Sequence, residues 1–520
     1  MEKYFNTTGL CVPELHYMVN IDNKINQIEK LINRGNYFSI NKPRQFGKTT
    51  TLNEIERKLS KDYLIVSLSF EGLGDIIFSD ERDFSKKFVE LIVESLELQD
   101  IAYRETLKFN IDNVNNISDL SKEISKFVKA MDKEVILIID EVDKSSNNQL
   151  FLSFLGMLRN KYLLRVSKKD VTFKSIILAG VHDVKSLKLK LRGNDEAKYN
   201  SPWNIAVNFK VDMSFNVEEI ETMLIEYCSE NDLEMETKLL VEKLYYYTSG
   251  YPFLVSGLCQ IIDENIYEDN KTSWILEDID KAVKIITNED NTLFQSIVKN
   301  LENNQELYDL VKRILVNGEI ITFNILDPII NLGVTYGIFS DSSNGLTISN
   351  KIFEEVLYNY MLSKLRTKTK DMSNYNFKSN FITENNGLNI EKILKRFQQY
   401  MKENYSSIDQ AFIEREGRLI FLAFITPIIN GIGFALKEVQ ISEEKRLDIV
   451  ITYNSFKYIL ELKLWRGESY HEKGIKQLDD YLNIHDMDMG YLVIFNFNKG
   501  KEYKEETIDI NNKKIFSIYV

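Results

Sequence analysis

The sequence predicts an α/β protein: a parallel sheet with crossover helices first, then a helical segment and a small helix-and-hairpin unit, and finally a second, separate α/β domain. Three observations carry this. The first half alternates short apolar runs with helix-length amphipathic stretches, the pattern of parallel strands joined by crossover helices. Two of those apolar runs end in polar loops suited to phosphate and metal. After a polar, aperiodic stretch at residues 366–386, strand and helix patterns start again.

Length and composition set the bounds. A chain of 520 residues exceeds one compact core, so two or three domains are expected. Apolar content of 44% with 28% charged residues is that of an ordinary globular protein. The three cysteines, Cys11, Cys228 and Cys259, are far apart and form no CxxC pair, which argues against a disulfide scaffold or zinc site and for a reducing cytosol. A formal charge of −13 opposes nucleic-acid binding by the whole surface, so any such contact needs a local basic face. The N-terminal residues lack the apolar run of a signal peptide, and a cytoplasmic location is expected. Leu419–Ala435 is uncharged, but it is short for a span and carries Pro427, Asn430 and two glycines. A buried helix, a turn and the start of a strand explain it better, so no membrane partner is expected.

The strand candidates in the first domain are Tyr37–Ile40, Leu64–Phe70, Val135–Ile139 and Ser175–Ala179, apolar on both faces like central parallel strands. Residues 216–290 read as helical around the turn Thr248-Ser249-Gly250-Tyr251-Pro252. A helix at Asn304–Asn317 follows, then short segments at 332–334, 337–339 and 346–348 and a closing helix at Asn350–Leu365, which together suggest a winged helix. The C-terminal pattern is helix (Asn389–Asn404), helix (Ile408–Ile429), then strands at Ala435–Gln440, Arg446–Tyr453, Lys457–Leu464 and Tyr491–Phe497. The expected domains are a first α/β core (1–215), a helical segment (216–299), the winged helix (300–365), a linker (366–386) and the C-terminal domain (387–520).

The first chemical motif is Lys42-Pro43-Arg44-Gln45-Phe46-Gly47-Lys48-Thr49-Thr50, placed between a strand and a helix as a phosphate-binding loop must be. Backbone N–H groups of this loop and the helix N-terminus would hold the phosphates of ATP, Lys48 would reach the β- and γ-phosphates, and the Thr49 hydroxyl would ligate Mg²⁺. Lys42 stands where GxxxxGK[ST] has its first glycine, so its side chain must avoid the phosphates. The second motif is the apolar strand Val135–Ile139 ending in Asp140 and Glu141. Asp140 is placed to support Mg²⁺ and Glu141 to orient the attacking water. A third strand ends at His182 and Asp183, either of which could sense the γ-phosphate, and His182 reads equally as an ordinary loop histidine. The basic run Lys185–Arg192 reads as a solvated face or, at Arg192, as an arginine finger.

KPRQFGKTT, ILIIDEVD, ILAGVHDV, NSPWNIA (Asn200–Ala206) and TSGYPFLVSGLC (Thr248–Cys259) resemble the bacterial AAA-like ATPases of the STAND group over about residues 1–365. The resemblance implies a P-loop NTPase parallel sheet with a helical lid marked by Gly250 and Pro252, ATP-dependent switching, and self-association into a homo-oligomer. It also puts His16 ahead of the loop, where contact with adenine and simple packing are both open readings.

In the C-terminal domain, Asp448 lies on one strand candidate and Glu461 and Lys463 lie two apart on the next, so the last two share a face. Two carboxylates and a lysine on adjacent strands suit Mg²⁺-dependent phosphodiester cleavage, with Asp448 and Glu461 as ligands and Lys463 assisting the nucleophile or neutralising the phosphate. The spacing, Gln477 in the following helix, and Glu414 or Glu416 in the preceding one resemble the PD-(D/E)xK nuclease domains, a restriction-endonuclease-like α/β fold, with Leu447 in place of the proline. The resemblance implies a helix acid, for which Glu414 is preferred, and nucleic acid, DNA first, as partner. The function expected is an ATP-controlled nuclease; the alternative is an ATP-dependent regulatory switch that uses an inactive nuclease fold for docking.

Overall fold

A computed structural model describes the chain except at residues 1, 98, 100–110, 143–148, 182–201, 268–270, 316–318, 344, 367–377, 406–409, 430–432, 438–439, 443–444, 447–448, 455, 466, 485 and 497–501. The chain divides into two units: residues 1–300 with 325–340 and 349–352, and residues 301–324 and 341–348 with 353–520.

In the first unit, β1 (Phe38–Asn41), β2 (Leu64–Ser69), β3 (Val135–Asp140) and β4 (Ser175–Gly180) form one parallel sheet in the order β1-β4-β3-β2. Each strand begins and ends within one residue of the expected run. The unbroken apolar character of β3 and β4 has its cause in their complete burial, with helices packed on both faces. Aromatic and aliphatic side chains of the helices Glu81–Glu97 and Gln149–Val166, among them Phe84, Phe88, Phe151 and Phe154, fill one core against Val66, Leu137 and Ile139. Trp203 joins it from a 3-10 turn at Pro202–Ile205, and its indole N–H donates to Ser39 Oγ at 3.0 Å. That bond ties the NSPWNIA stretch to β1. Just beyond, Val207 adds a single parallel bridge to Phe38.

The helical segment comprises Val217–Glu230, Thr237–Thr248, Pro252–Gln260 and Leu276–Ile286. Its first helix starts on a capping box in which Asn216 and Glu219 each accept the other's backbone N–H, at 2.7 and 2.9 Å.

From residue 305 to 366 the elements are helix Gln305–Leu315, helix Pro328–Thr335, the two-stranded sheet β5 (Phe339–Ser342) and β6 (Gly345–Ile348), and helix Lys351–Arg366. The segment at 332–334, expected to stand apart, belongs to the second helix. Asp327 caps that helix by accepting from the N–H groups of Ile329 and Ile330, and Pro328 fits its first turn.

The C-terminal part of the second unit has helices Ile390–Asn404 and Gln410–Ile429 and a six-stranded mixed sheet, β13-β14-β12-β11-β10-β7. Its strands are β7 (Gly433–Lys437), β10 (Ile449–Tyr453), β11 (Phe456–Leu464), β12 (Met489–Phe495), β13 (Glu505–Ile510) and β14 (Lys513–Tyr519), while β8 (Gln440–Ser442) and β9 (Lys445–Arg446) pair separately. β11, β12 and β14 run parallel and the other neighbours antiparallel. The helix Glu468–Ile484 connects β11 to β12. The hairpin β13–β14 was not expected; its signal is Asn511-Asn512, both in the left-handed region that a two-residue hairpin turn requires. The uncharged stretch from Leu419 runs through a buried helix end to β7, and among the described residues no helix is long and apolar enough to cross a membrane. Within the stretch expected as linker, Lys378–Asn380 form a 3-10 turn. Phe381 is buried, and the N–H of Leu388 just after it donates to the Tyr458 hydroxyl oxygen at 2.6 Å.

Candidate functional site

The loop between β1 and the helix Lys48–Leu59 owes its shape to two left-handed residues, Gln45 (φ +54°) and Gly47 (φ +73°). The Lys48 ammonium, nearly buried, donates to the carbonyls of Lys42 at 3.1 Å and Pro43 at 2.9 Å, so the lysine lies under its own loop. One residue on, the Thr49 hydroxyl donates to Asp140 Oδ2 at 2.8 Å. Asp140 ends β3, and its other oxygen accepts the Glu141 N–H at 2.9 Å. Glu141 holds φ +55°, a conformation costing a non-glycine residue on the order of 1 kcal/mol. The three motif residues Thr49, Asp140 and Glu141 are thus gathered at the carboxyl ends of the strands, where open α/β sheets bind their ligands.

Lys42 resolves the departure from the glycine pattern. Its backbone N–H donates to Gly180 O at the end of β4, and its ammonium lies 5.6 Å from the centre of the Phe46 ring. Burial pushes the Lys42 pKa down, against the pull of Asp212. Phe46 in turn meets Tyr251 edge-on at 4.8 Å, and the Tyr251 hydroxyl donates to the Arg44 carbonyl at 2.5 Å. Arg44 itself is exposed, and Gln45 donates to Thr292 Oγ1 at 3.2 Å. The Gly250-Tyr251-Pro252 element is therefore a bracket on the loop, a role that sequence alone did not assign to Tyr251. Gly250 can hold it because a Cβ there would lie 1.9 Å from the Phe215 carbonyl oxygen, and its φ is +71°.

Beside Gly47 lies a cavity of about 150 Å³, walled mainly by apolar side chains that include Tyr17, Val19, Phe46, Met213, Phe215 and Phe253. Thr50 stands at its edge and accepts the Cys11 N–H at 3.4 Å. His16 is not part of this wall. Its Nδ1 accepts the Val12 N–H at 2.8 Å and its ring packs edge-on against Tyr4. His182, Asp183 and Lys185–Arg192 lie outside the described residues.

A second cluster forms on β11. Glu461 is fully buried, and Lys463, two residues along the same face, places its ammonium 2.6 Å from Glu461 Oε1. Lys463 also donates to Gln477 Oε1 at 3.3 Å, and Gln477 donates to the Tyr481 hydroxyl at 3.1 Å. Gly474 faces the Lys463 stem, and a Cβ there would make ordinary van der Waals contact with Lys463 Cγ at 3.4 Å. Glu461, Lys463 and Gln477 are thus brought together; Tyr481 was missed, though its place four residues after Gln477 on one helix face was readable. Asp448 lies outside the described residues, and Glu414 and Glu416 lie in the helix Gln410–Ile429 with their side chains outside the described ones. No group of three or more His, Cys, Asp or Glu that would hold a metal occurs among the described residues.

A family model described as "AAA-like domain" matches residues 14–358. The chain belongs to the AAA-like domain family. No curated protein matches it. Among solved structures, a Walker-type ATPase of Pyrococcus abyssi is similar at 13% identity, with 68% of this chain and 99% of that chain covered and a TM-score of 0.48. The RuvB Holliday junction branch migration motor of Thermotoga maritima is similar at 13% identity, over 65% and 95%, with a TM-score of 0.32. The ORC1 protein of Aeropyrum pernix in complex with DNA is similar at 11% identity, over 67% and 94%, with a TM-score of 0.31.

The AAA-like domain contains both the loop at residues 42–50 and the acid pair that ends β3. Thr49 and Asp140 suit a hard divalent cation: a hydroxyl and a carboxylate oxygen, already within 2.8 Å, are the oxygen donors Mg²⁺ takes beside phosphates. The Glu461 cluster lies beyond the matched residues.

Proposed function

We propose that the protein binds and hydrolyses ATP in its AAA-like domain and that the nucleotide state controls a metal-dependent nuclease in the C-terminal domain, acting on nucleic acid, with DNA as the first substrate to try. The observation that carries the ATPase half is the hydrogen bond from Thr49 to Asp140 beneath a loop whose lysine is already folded among its carbonyls. On this reading residues 42–50 hold the phosphates, the apolar cavity takes the base, and Glu141 orients the attacking water. Thr49 and Asp140 would hold Mg²⁺, which when bound neutralises phosphate charge. The helices from 217 to 286 serve as the lid, and residues 300–365 as a winged helix.

Support for the nuclease half comes from a carboxylate placed where burial is costly, Glu461, with Lys463 and Gln477 gathered beside it. Glu461 is the one carboxylate of the proposed metal set among the described side chains, so Asp448 is required to complete it, with Glu414 as the helix acid. A bound Mg²⁺ would activate water and offset phosphate charge there. Lys463 would stabilise the phosphate, and Gln477 would hold Lys463 in place. The alternative reading, a docking module that has lost its activity, draws on the same pair, because Lys463 and Glu461 also offset each other's charge.

Incubation of plasmid and single-stranded DNA with Mg²⁺ or Mn²⁺ separates the two. The nuclease reading expects cleavage by wild type and none by Lys463→Ala at matched folding. A wild type that turns over ATP but never cuts leaves the docking reading.

A further inference from the structure

Lys24 is a charged residue with almost no exposure, set on the helix Asp22–Asn33 in the wall of the cavity beside Gly47. Its ammonium donates to the Ser214 carbonyl at 2.8 Å and to Glu219 Oε2, and lies 5.7 Å from the centre of the Phe215 ring. Glu219 is the capping-box residue of the helix Val217–Glu230, and the same Oε2 accepts the Asn216 N–H at 2.9 Å. A second bond runs alongside: the Asn20 N–H donates to Thr222 Oγ1 at 2.9 Å. The segment from Asn20 to Lys24 is therefore fastened to the first turns of that helix, and Met213 and Phe215, on the approach to it, line the same cavity.

A buried ion pair recovers little of its desolvation cost as stability, and its best-attested use is to fix one arrangement over another. An ammonium has three hydrogens, and two are used here, which leaves one for an acceptor. The cavity wall carries the aromatic side chains of Tyr17, Phe46 and Phe215, suited to a planar base, and the acceptors adenine offers are ring nitrogens.

We infer that Lys24 is a positioning residue that ties the base of a bound purine nucleotide to the helix Val217–Glu230, donating to a ring nitrogen while Glu219 holds it in place. The inference rests on the reading of the loop as an ATP site. It makes closure of the helical segment respond to the base and not to the phosphates alone.

The test is hydrogen exchange of residues 217–230 in the full chain, read with saturating ATP and with inorganic tripolyphosphate, next to the affinities for both. Wild type is expected to gain protection there with ATP and not with tripolyphosphate. Lys24→Met should lose on the order of tenfold in ATP affinity, the effect of one charge-assisted hydrogen bond. It should keep its tripolyphosphate affinity and show no ATP-induced protection at saturation. If Lys24→Met does not fold, Glu219→Gln retains an acceptor for the Asn216 N–H and is expected to lose the ATP-induced protection in the same way. Wild-type protection in either variant at saturating ATP overturns the inference, as does an equal loss of ATP and tripolyphosphate binding, the mark of a structural role. Wild type that binds ATP with no protection of 217–230 overturns it alone; wild type that binds neither ligand removes the ATP reading as well.

Discussion

Lys48 and Lys463 carry the two proposed chemistries, and each is held by its own neighbours. Lys48 is parked on two loop carbonyls, partners it can exchange for phosphate oxygens without changing its place. Lys48→Ala is therefore expected to weaken ATP binding by about 2 kcal/mol, some thirtyfold, with little change in melting temperature, as read by titration with a fluorescent ATP analogue. Lys463 differs because its partner is fully buried. Lys463→Ala leaves the Glu461 carboxylate without its cation and should cost up to about 3 kcal/mol in denaturant unfolding. Pairing Lys463→Met with Glu461→Gln removes both charges and should recover most of that stability without restoring cleavage. Recovery of cleavage in the double variant would take Glu461 out of the proposed chemistry.

At the scale of elements, the bracket Gly250-Tyr251-Pro252 joins the helical segment to the loop through the contacts of Tyr251 with Arg44 and Phe46. Gly250→Ala places a methyl group 1.9 Å from the Phe215 carbonyl at a positive φ, and is expected to destabilise the first unit by well over about 1 kcal/mol. Tyr251→Phe removes one hydrogen bond to the loop and should cost about 1 kcal/mol and a few-fold in ATP affinity, measured by thermal unfolding and titration. The central strands of the first sheet were legible because β3 and β4 are covered on both faces, so burial writes itself as an unbroken apolar run. The Thr49–Asp140 contact was legible because a loop threonine and a strand-end acid have few other reasons to recur together. Residues 332–334 misled for the opposite reason: a short apolar stretch has no period of its own, and the cap at Asp327 decided it for helix. Tyr251 and Lys24 were not legible as functional residues, because each acts across more than 190 positions of sequence, through contacts that only the fold creates.

On the scale of the whole molecule, the AAA-like domain takes up residues 14–358, and the Glu461 cluster belongs to the remainder. A net charge of −13 rules out attraction of nucleic acid by the chain as a whole, so any cleavage depends on local contacts, and control by ATP has room to act on them. The most direct measurement of that control is the rate of plasmid cleavage in Mg²⁺ as ATP is titrated, for wild type beside Lys48→Ala. The account predicts a wild-type rate that changes with ATP, and a Lys48→Ala rate that stays flat over the same range while its Glu461 cluster remains intact. Cleavage that is equal in both proteins and indifferent to ATP would contradict it.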